Sequence, residues 1–149
     1  MYRVLNEIRA QRLMEQPIDY IVHASFDDPS QEEAIMATMP GADSYEENRR
    51  QLRVPKDAPP ELASLYETPL LNKDQEQHLF RKMNFLKHKA KKLLDAMKTP
   101  TSRIDPHKVR TQDLDIVENL LEQATAIKDH LINCNMRLVV SIAKRHSGQ

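Results

Sequence analysis

The chain has 149 residues and a formal net charge of zero; 30% of its residues are charged and only 5% are aromatic. A single cysteine excludes an internal disulfide framework. The sequence has no run of about 18 apolar residues, so we expect no transmembrane helix. We therefore predict a cytoplasmic protein without membrane contact. Two glycines, nine prolines and many Leu, Met, Lys, Glu and Gln residues predict an all-α fold.

Residues 1–39 are predicted to form an N-terminal extension with short helices. Residues 2–16 carry apolar residues near helical spacing, and Pro17 ends this helix because proline cannot continue its hydrogen bonding. The apolar residues of this helix are Val4, Leu5, Ile8 and Leu13. Residues 18–26 favour an extended backbone but have no partner strand, so we interpret them as a segment that docks on another element.

A second short helix is predicted over residues 31–39. Ser30 followed three residues later by Glu33 is a capping-box pattern, in which each side chain satisfies one unpaired N–H of the first turn. Residues 40–60 then lose apolar residues and gain Pro, Asp, Glu and Arg, a composition typical of a mobile linker. The acidic N-terminal extension is therefore predicted to be partly disordered.

The strongest helical pattern lies in residues 61–98. Asn72 can cap a helix whose third residue, Gln75, can reach back to the cap. The helix predicted from residue 73 to 97 has an apolar stripe with alternating steps of four and three residues, which is typical of a helix that packs along one face. The stripe consists of Leu79, Met83, Leu86, Ala90, Leu93 and Met97.

A variable linker, residues 99–111, precedes the last predicted helical segment, residues 112–149. Thr111 can cap this helix, whose apolar stripe continues to about His146. The stripe consists of Leu114, Val117, Leu121, Ala124, Leu131, Leu138 and Ile142. Two long helices joined by a short linker most simply form an antiparallel hairpin, which we predict for residues 69–147.

Charge is distributed unevenly along the chain. Residues 1–76 contain 8 basic and 15 acidic residues, whereas residues 77–149 contain 14 basic and 7 acidic ones. This asymmetry indicates either a polyanionic partner for the basic half or masking of one half by the other. On the helix predicted from residue 73 to 97, a basic face predicts either contact with nucleic-acid phosphates or a solvated helix face. This face carries Arg81, Lys82, Lys87, His88, Lys89, Lys91 and Lys92.

No pattern in the sequence predicts catalysis. No nucleophile lies at motif spacing from a base, and two glycines are too few for a phosphate-binding loop. His130 and Cys134 have the helical spacing of two metal ligands, but no second pair is visible, so a core cysteine beside a solvated histidine is the better interpretation. We accordingly predict no enzyme activity, no cofactor, no metal site and no small-molecule substrate.

Two segments resemble conserved regions of a known family. The segment NMRLVVSIAKRH, residues 135–146, resembles the start of region 2 in bacterial RNA polymerase sigma factors of the primary, housekeeping-like class. Met136 stands where that family usually has leucine. The segment PLLNKDQEQHLFRKM, residues 69–83, resembles region 1.2 of the same family. Two such segments in the correct order, separated by a variable linker, are more specific than either alone.

The resemblance covers about residues 61–149 and implies an N-terminal part of a sigma factor, with region 1.2 followed by an incomplete region 2 bundle. Such a factor binds core RNA polymerase and contributes to the recognition and opening of promoter DNA. The chain departs from the family in having only LYETPLL where a longer YLxEIG-like stretch is usual. The implied DNA-contacting residues are Arg81, Lys82 and Lys87, and the motif residues with structural or interface roles are Asn135, Arg137, Lys144 and Arg145.

Two further expectations follow from the same features. The alternative function is a stand-alone helical adaptor, without DNA recognition, that binds a protein through an exposed apolar stripe. The charge asymmetry also leads to the hypothesis that the acidic N-terminal half covers the basic helix and limits DNA binding outside the polymerase holoenzyme.

Overall fold

The computed structural model describes the backbone of residues 2–147, with the side chains of that range except Tyr2, Lys144, His146 and Ser147. The described residues are helical, apart from connecting segments and one isolated bridge between Lys98 and Ile104. The helices are α1 (Tyr2–Glu15), α2 (Pro29–Met36), α3 (Ala42–Gln51), α4 (Ala63–Tyr66), α5 (Lys73–Ala96) and α6 (Thr111–Ser147). The all-α prediction is confirmed. Within this range, no helix has the length and apolarity needed to cross a membrane.

The start of α5 is fixed by the capping box that the sequence predicted. The Asn72 side chain accepts a hydrogen bond from the Gln75 backbone N–H at 2.8 Å, and the Gln75 side chain accepts one from the Asn72 N–H at 3.1 Å. Gln75 is buried because its amide also donates to the Pro40 carbonyl at 2.8 Å. The cap thus joins α5 to the turn that precedes α3.

The main core lies between α5 and α6. Its buried residues from these two helices are Met83, Leu86, Ala90, Leu94, Leu114, Val117, Leu120 and Ala124, and Met97 closes it just after α5. The late part of α6 lies beside the start of α5, as the hydrogen bond from the Arg137 guanidinium to the Thr68 carbonyl shows. With 24 and 37 residues, the two helices are about 36 and 55 Å long, so the end of α6 extends beyond α5.

Helix α1 is present as predicted, but it packs through a different face. Leu13 is buried together with Ala10, whereas Val4, Leu5 and Ile8 are 48–59% exposed, so the predicted apolar face is wrong for these three residues. This orientation places Ala10 and Leu13 in the main core, and it also brings Arg9 to an ion-pair cluster, in which Arg9 donates to Glu118 and Asp115 of α6 at 2.6–2.7 Å. These partners are more than 100 residues away, so local spacing could not identify the face.

The helical starts and ends between residues 28 and 60 also differ from the prediction. Asp28 caps α2 by accepting from the Ser30 backbone N–H at 3.0 Å, and Pro29 occupies the first turn, so the predicted Ser30 cap is wrong. The helix ends at Met36 rather than at residue 39. Residues 40–60, which were predicted to form a mobile linker, contain α3, and the buried side chain of Tyr45 holds this helix in place.

Candidate nucleic-acid interface

The DNA-contact candidates lie along the middle of α5. Arg81 is exposed, while Lys82 and Lys87 are half-buried. Residues 81, 88 and 92 recur at helical spacing and mark the centre of a basic face, with Lys87 and Lys89 on its flanks. Clustered basic side chains of this kind are the groups with which nucleic-acid-binding proteins contact phosphates.

The structure places residues 18–36, hereafter the arm, directly over this basic face. An apolar cluster anchors the arm: Phe26 and Ile35 are buried against Phe85 of α5, and the rings of Phe26 and Phe85 meet edge to face at 5.5 Å. The arm backbone is fixed as well, since the Ile21 N–H donates to Asn84 of α5 at 3.0 Å. The interpretation of residues 18–26 as a docking segment agrees with these contacts.

His88 is the buried polar centre of the contact between arm and helix. Its Nδ1 lies 2.8 Å from the Tyr20 hydroxyl and its Nε2 lies 2.9 Å from the Asp27 carboxylate. A carboxylate only accepts, so Nε2 carries a hydrogen towards Asp27. Asp27 also accepts from Lys92, and the hydrogen bonds from Lys92 and then His88 hold the pKa of this carboxyl below its usual range.

The remaining arm contacts engage the other basic groups of α5. Lys89 donates to the Glu32 carboxylate at 2.5 Å, and Lys87 donates to the Asp19 carbonyl at 3.1 Å. The Arg81 guanidinium lies 3.2 Å from Nε2 of His23. Two of the three predicted DNA-contacting residues are therefore occupied by the arm.

The motif residues of α6 occupy two different environments. Asn135 is exposed and lines a groove of about 500 Å³ between the start of α5 and the middle of α6, whose walls include Phe80 and Ile132. Arg137 is half-buried and donates to the carbonyl before α5. Arg145 is exposed on the part of α6 beyond α5, and the side chain of Lys144 lies outside the described residues. Neither Asn135 nor Arg137 belongs to the basic face of α5.

A second polar cluster joins α3, α6 and the segment before α5. The buried Tyr45 hydroxyl donates to the Pro69 carbonyl at 2.6 Å and lies 3.0 Å from Nε2 of His130. The Cys134 thiol donates to the same carbonyl at 3.5 Å, and burial raises the pKa of this thiol. Across the part of the chain that the structure describes, no three His, Cys, Asp or Glu side chains converge as metal ligands would.

Sequence reasoning missed this cluster because it assigned Tyr45 to a linker. One sequence feature could have indicated it: Tyr45 is a single aromatic residue in a largely polar ten-residue stretch. Such a pattern is typical of a surface helix that is anchored by one side chain. The sequence interpretation of His130 as a solvated histidine is wrong, because the structure half-buries it. The ring of Tyr45 packs against its imidazole, with the ring centroids 5.6 Å apart.

The fold is expected to lose stability on mild acidification through His130. Burial, and then the charge of Arg49, lower the pKa of this imidazole below 6.5, so the folded state favours its neutral form. The resulting stabilisation is present above pH 6.5 and is lost as the pH falls towards the folded-state pKa. Urea unfolding at about pH 7.5 and 5.5 measures this loss, and His130→Gln should make it smaller.

The acidic groups with lowered pKa values do not contribute to the change in stability between pH 7.5 and 5.5. The hydrogen bonds from Lys92 and Arg9 lower the pKa values of Asp27 and Glu118, and their stabilisation is lost only below the ordinary values of 3.8 and 4.5. An undiminished loss between pH 7.5 and 5.5 in His130→Gln would contradict the assignment to His130.

Two surfaces are thus assembled by the structure. Arg81 and Lys87 each contact the arm, and Asn135 and Arg137 lie beside the start of α5, whereas Arg145 is separate from both groups. Comparison of the chain with family models, curated proteins and solved structures found no match.

Proposed function

We propose that the chain is the N-terminal part of a primary-type bacterial sigma factor, which binds core RNA polymerase and contributes to promoter recognition and opening. The main support is that the two segments resembling regions 1.2 and 2 lie side by side, since Asn135 of one segment and Phe80 of the other line the same groove. Two hydrogen bonds at the edges of the segments agree with this. Arg137 donates to the carbonyl of Thr68, 69 residues away, and Cys134 donates to that of Pro69, 65 residues away. These contacts support an antiparallel hairpin of α5 and α6, which an incomplete region 2 bundle would require.

In this proposal, the basic face of α5 contributes to contact with promoter DNA and the arm regulates its availability. The arm supplies carboxylates to Lys89 and Lys92 and a carbonyl to Lys87, so a DNA phosphate would have to compete with the docked arm for these ammonium groups. This arrangement supports the hypothesis that the acidic N-terminal half limits DNA binding outside the holoenzyme.

Direct measurement of binding to core RNA polymerase tests the proposal. We expect weak, reversible binding that an intact primary sigma factor displaces, because the family's main clamp-binding segments lie beyond the residues that show the resemblance. Arg145→Ala, in the exposed motif, should weaken binding several-fold. Arg50→Ala removes an equally charged and exposed side chain from α3 and serves as the matched control.

The outcomes separate clearly. Absence of binding, or binding that an intact sigma factor does not displace, would contradict the proposed role. Nanomolar binding by this chain alone would contradict the expectation that the main clamp contacts lie elsewhere.

A helical adaptor without DNA recognition is the second candidate. It is favoured by the large apolar side chains that α6 exposes, including Met136, Val139 and Ile142. Such an adaptor would neither bind core polymerase competitively with a sigma factor nor bind duplex DNA after the arm is released. The coding frame beyond residue 149 also discriminates, since two helix-turn-helix patterns downstream support the sigma factor.

A further inference from the structure

The loop that joins α5 to α6, residues 98–110 and hereafter the hairpin loop, is held in place at both of its ends. The Asp105 N–H donates to the Met97 carbonyl at 2.8 Å, which ties the loop to the end of α5. Ile104 and Val109 pack against the main core. These contacts fix the backbone from which the polar side chains of the loop project.

The hairpin loop carries more positive charge than its own acid can balance. It contains four Lys or Arg residues and one acidic residue, Asp105. Asp105 is half-buried and accepts from the His107 backbone N–H at 3.1 Å. Arg103 and Arg110 are exposed, and neither has an acidic partner within 4.0 Å in the part of the chain that the structure describes.

Helix α1 adds a further arginine to this surface. The Arg3 guanidinium lies 3.4 Å from Nδ1 of His107, and both side chains are exposed. A guanidinium only donates, so Nδ1 accepts and Nε2 carries the ring hydrogen. Glu7 and Glu15 of α1 line a groove beside Pro106. Arg3 and His107 thus bring two hydrogen-bond donors to the outer side of the loop.

The chemistry of the hairpin loop fits the backbone of duplex DNA. Arg103 and Arg110 are at most about 25 Å apart along the chain, and a duplex carries one negative charge per about 1.7 Å of its axis. Thr101 and Ser102 expose hydroxyl groups, which also commonly donate to phosphates.

Two other polyanionic partners fit this surface less well. The hairpin loop contains no Phe, Tyr or Trp on which the bases of a single strand could stack. Within this loop, which the structure describes in full, no large apolar side chain is exposed, whereas a segment that inserts into a lipid surface presents such side chains.

We propose that the hairpin loop and Arg3 form a second nucleic-acid surface, which contacts the phosphates of duplex DNA while the arm is docked. The polar contacts of the arm with α5 lie between Arg81 and Lys92. Across the described residues, the arm forms no hydrogen bond with the hairpin loop. The arm therefore regulates α5 alone, and the loop contributes DNA binding that does not require arm release. This inference does not depend on the transcriptional role.

Fluorescence anisotropy with a short labelled duplex and the full chain tests the loop surface. We expect the wild-type chain to bind with a dissociation constant of roughly 1–100 μM at low salt. Replacing Arg103 and Arg110 together by alanine removes two phosphate contacts. Affinity should fall at least about tenfold, and the slope of log affinity against log salt should become shallower by about 2.

The matched control replaces Arg50 and Arg53 together by alanine. These two arginines are also exposed but lie at the end of α3 and just after it, so the same total charge is removed. We expect the control to change affinity by less than about threefold. Both double variants alter exposed side chains, and an unchanged urea midpoint verifies that each remains folded.

The same pair of loop substitutions in a Phe26→Ala background tests independence from the arm. The loss of affinity should match that in the wild-type background within about threefold, because distant sites act additively. The proposal would be overturned by a wild-type chain that does not bind duplex DNA at low salt, or by equal effects of the loop variant and the α3 control. It would also be overturned by tighter binding to a single strand of equal length, or to vesicles of equal parts phosphatidylserine and phosphatidylcholine. Binding to core RNA polymerase is a separate measurement, so the two proposals can fail independently.

Discussion

Replacing Leu86 by alanine is expected to destabilise the fold by about 3 kcal/mol, the middle of the range for a large apolar residue removed from a packed core. Leu86 is fully buried at the centre of α5, in the same cluster as Leu114 and Val117 of α6. The loss combines the transfer free energy of the deleted methyl groups with the free energy of the cavity that remains. Because a domain of this size is only marginally stable, much of the stability would be lost.

Urea unfolding at low micromolar concentration measures this effect as a lower midpoint with an unchanged slope. The matched control is Phe80→Ala on the same helix, since Phe80 is 44% exposed and its truncation leaves no enclosed cavity. We expect a cost below about 1.5 kcal/mol for this control. Equal costs for the two variants would show that the contact between α5 and α6 is not the main core.

Local signals in the sequence were sufficient for the two long helices. The Asn72–Gln75 capping box and the alternating apolar steps of α5 concern residues within one or two turns, and both occur as expected. Leu138 and Ile142 continue the periodicity of α6 but remain exposed, because α5 is too short to cover them. The periodic pattern of α6 alone does not contain the length of its neighbour.

The arrangement of the first 60 residues depends on pairs that no local pattern contains. Tyr20 meets His88 across 68 positions and Asp27 meets Lys92 across 65, so the docking site of the arm is defined only in three dimensions. The charge asymmetry left contact between the halves and a polyanionic partner as alternatives, and it could not identify which acids take part. Helix α3 resembles a linker in composition, because Tyr45 is its one buried residue and the rest of the helix is largely polar.

Releasing the arm is expected to convert α5 into a stronger DNA-binding surface. Phe26→Ala removes the buried ring that packs against Phe85 and His88, and it leaves the net charge of the chain at zero. This aromatic contact is the better target because exposed ion pairs such as Lys89–Glu32 each contribute only about 0.2–1 kcal/mol. A gain in DNA affinity then reports exposure of the basic face rather than a change in total charge.

We expect Phe26→Ala to raise the affinity for nonspecific duplex DNA at least about tenfold at low salt. Release of Arg81, Lys87, Lys89 and Lys92 provides up to four further phosphate contacts, each of which steepens the slope of log affinity against log salt by roughly 0.9. The slope should therefore become steeper by about 3 to 4. Val22→Ala is the control within the arm, because this side chain is exposed and should change neither quantity.

Hydrogen exchange of the Ile21 amide gives an independent measure of arm release, since this N–H is bonded to Asn84 only while the arm is docked. Faster exchange in Phe26→Ala, together with tighter and more salt-dependent DNA binding, is the expected combination. Faster exchange with unchanged DNA affinity would show that the face under the arm does not bind DNA, and the regulatory role of the arm would then be wrong. In that case the lysines of α5 would serve only to hold the arm.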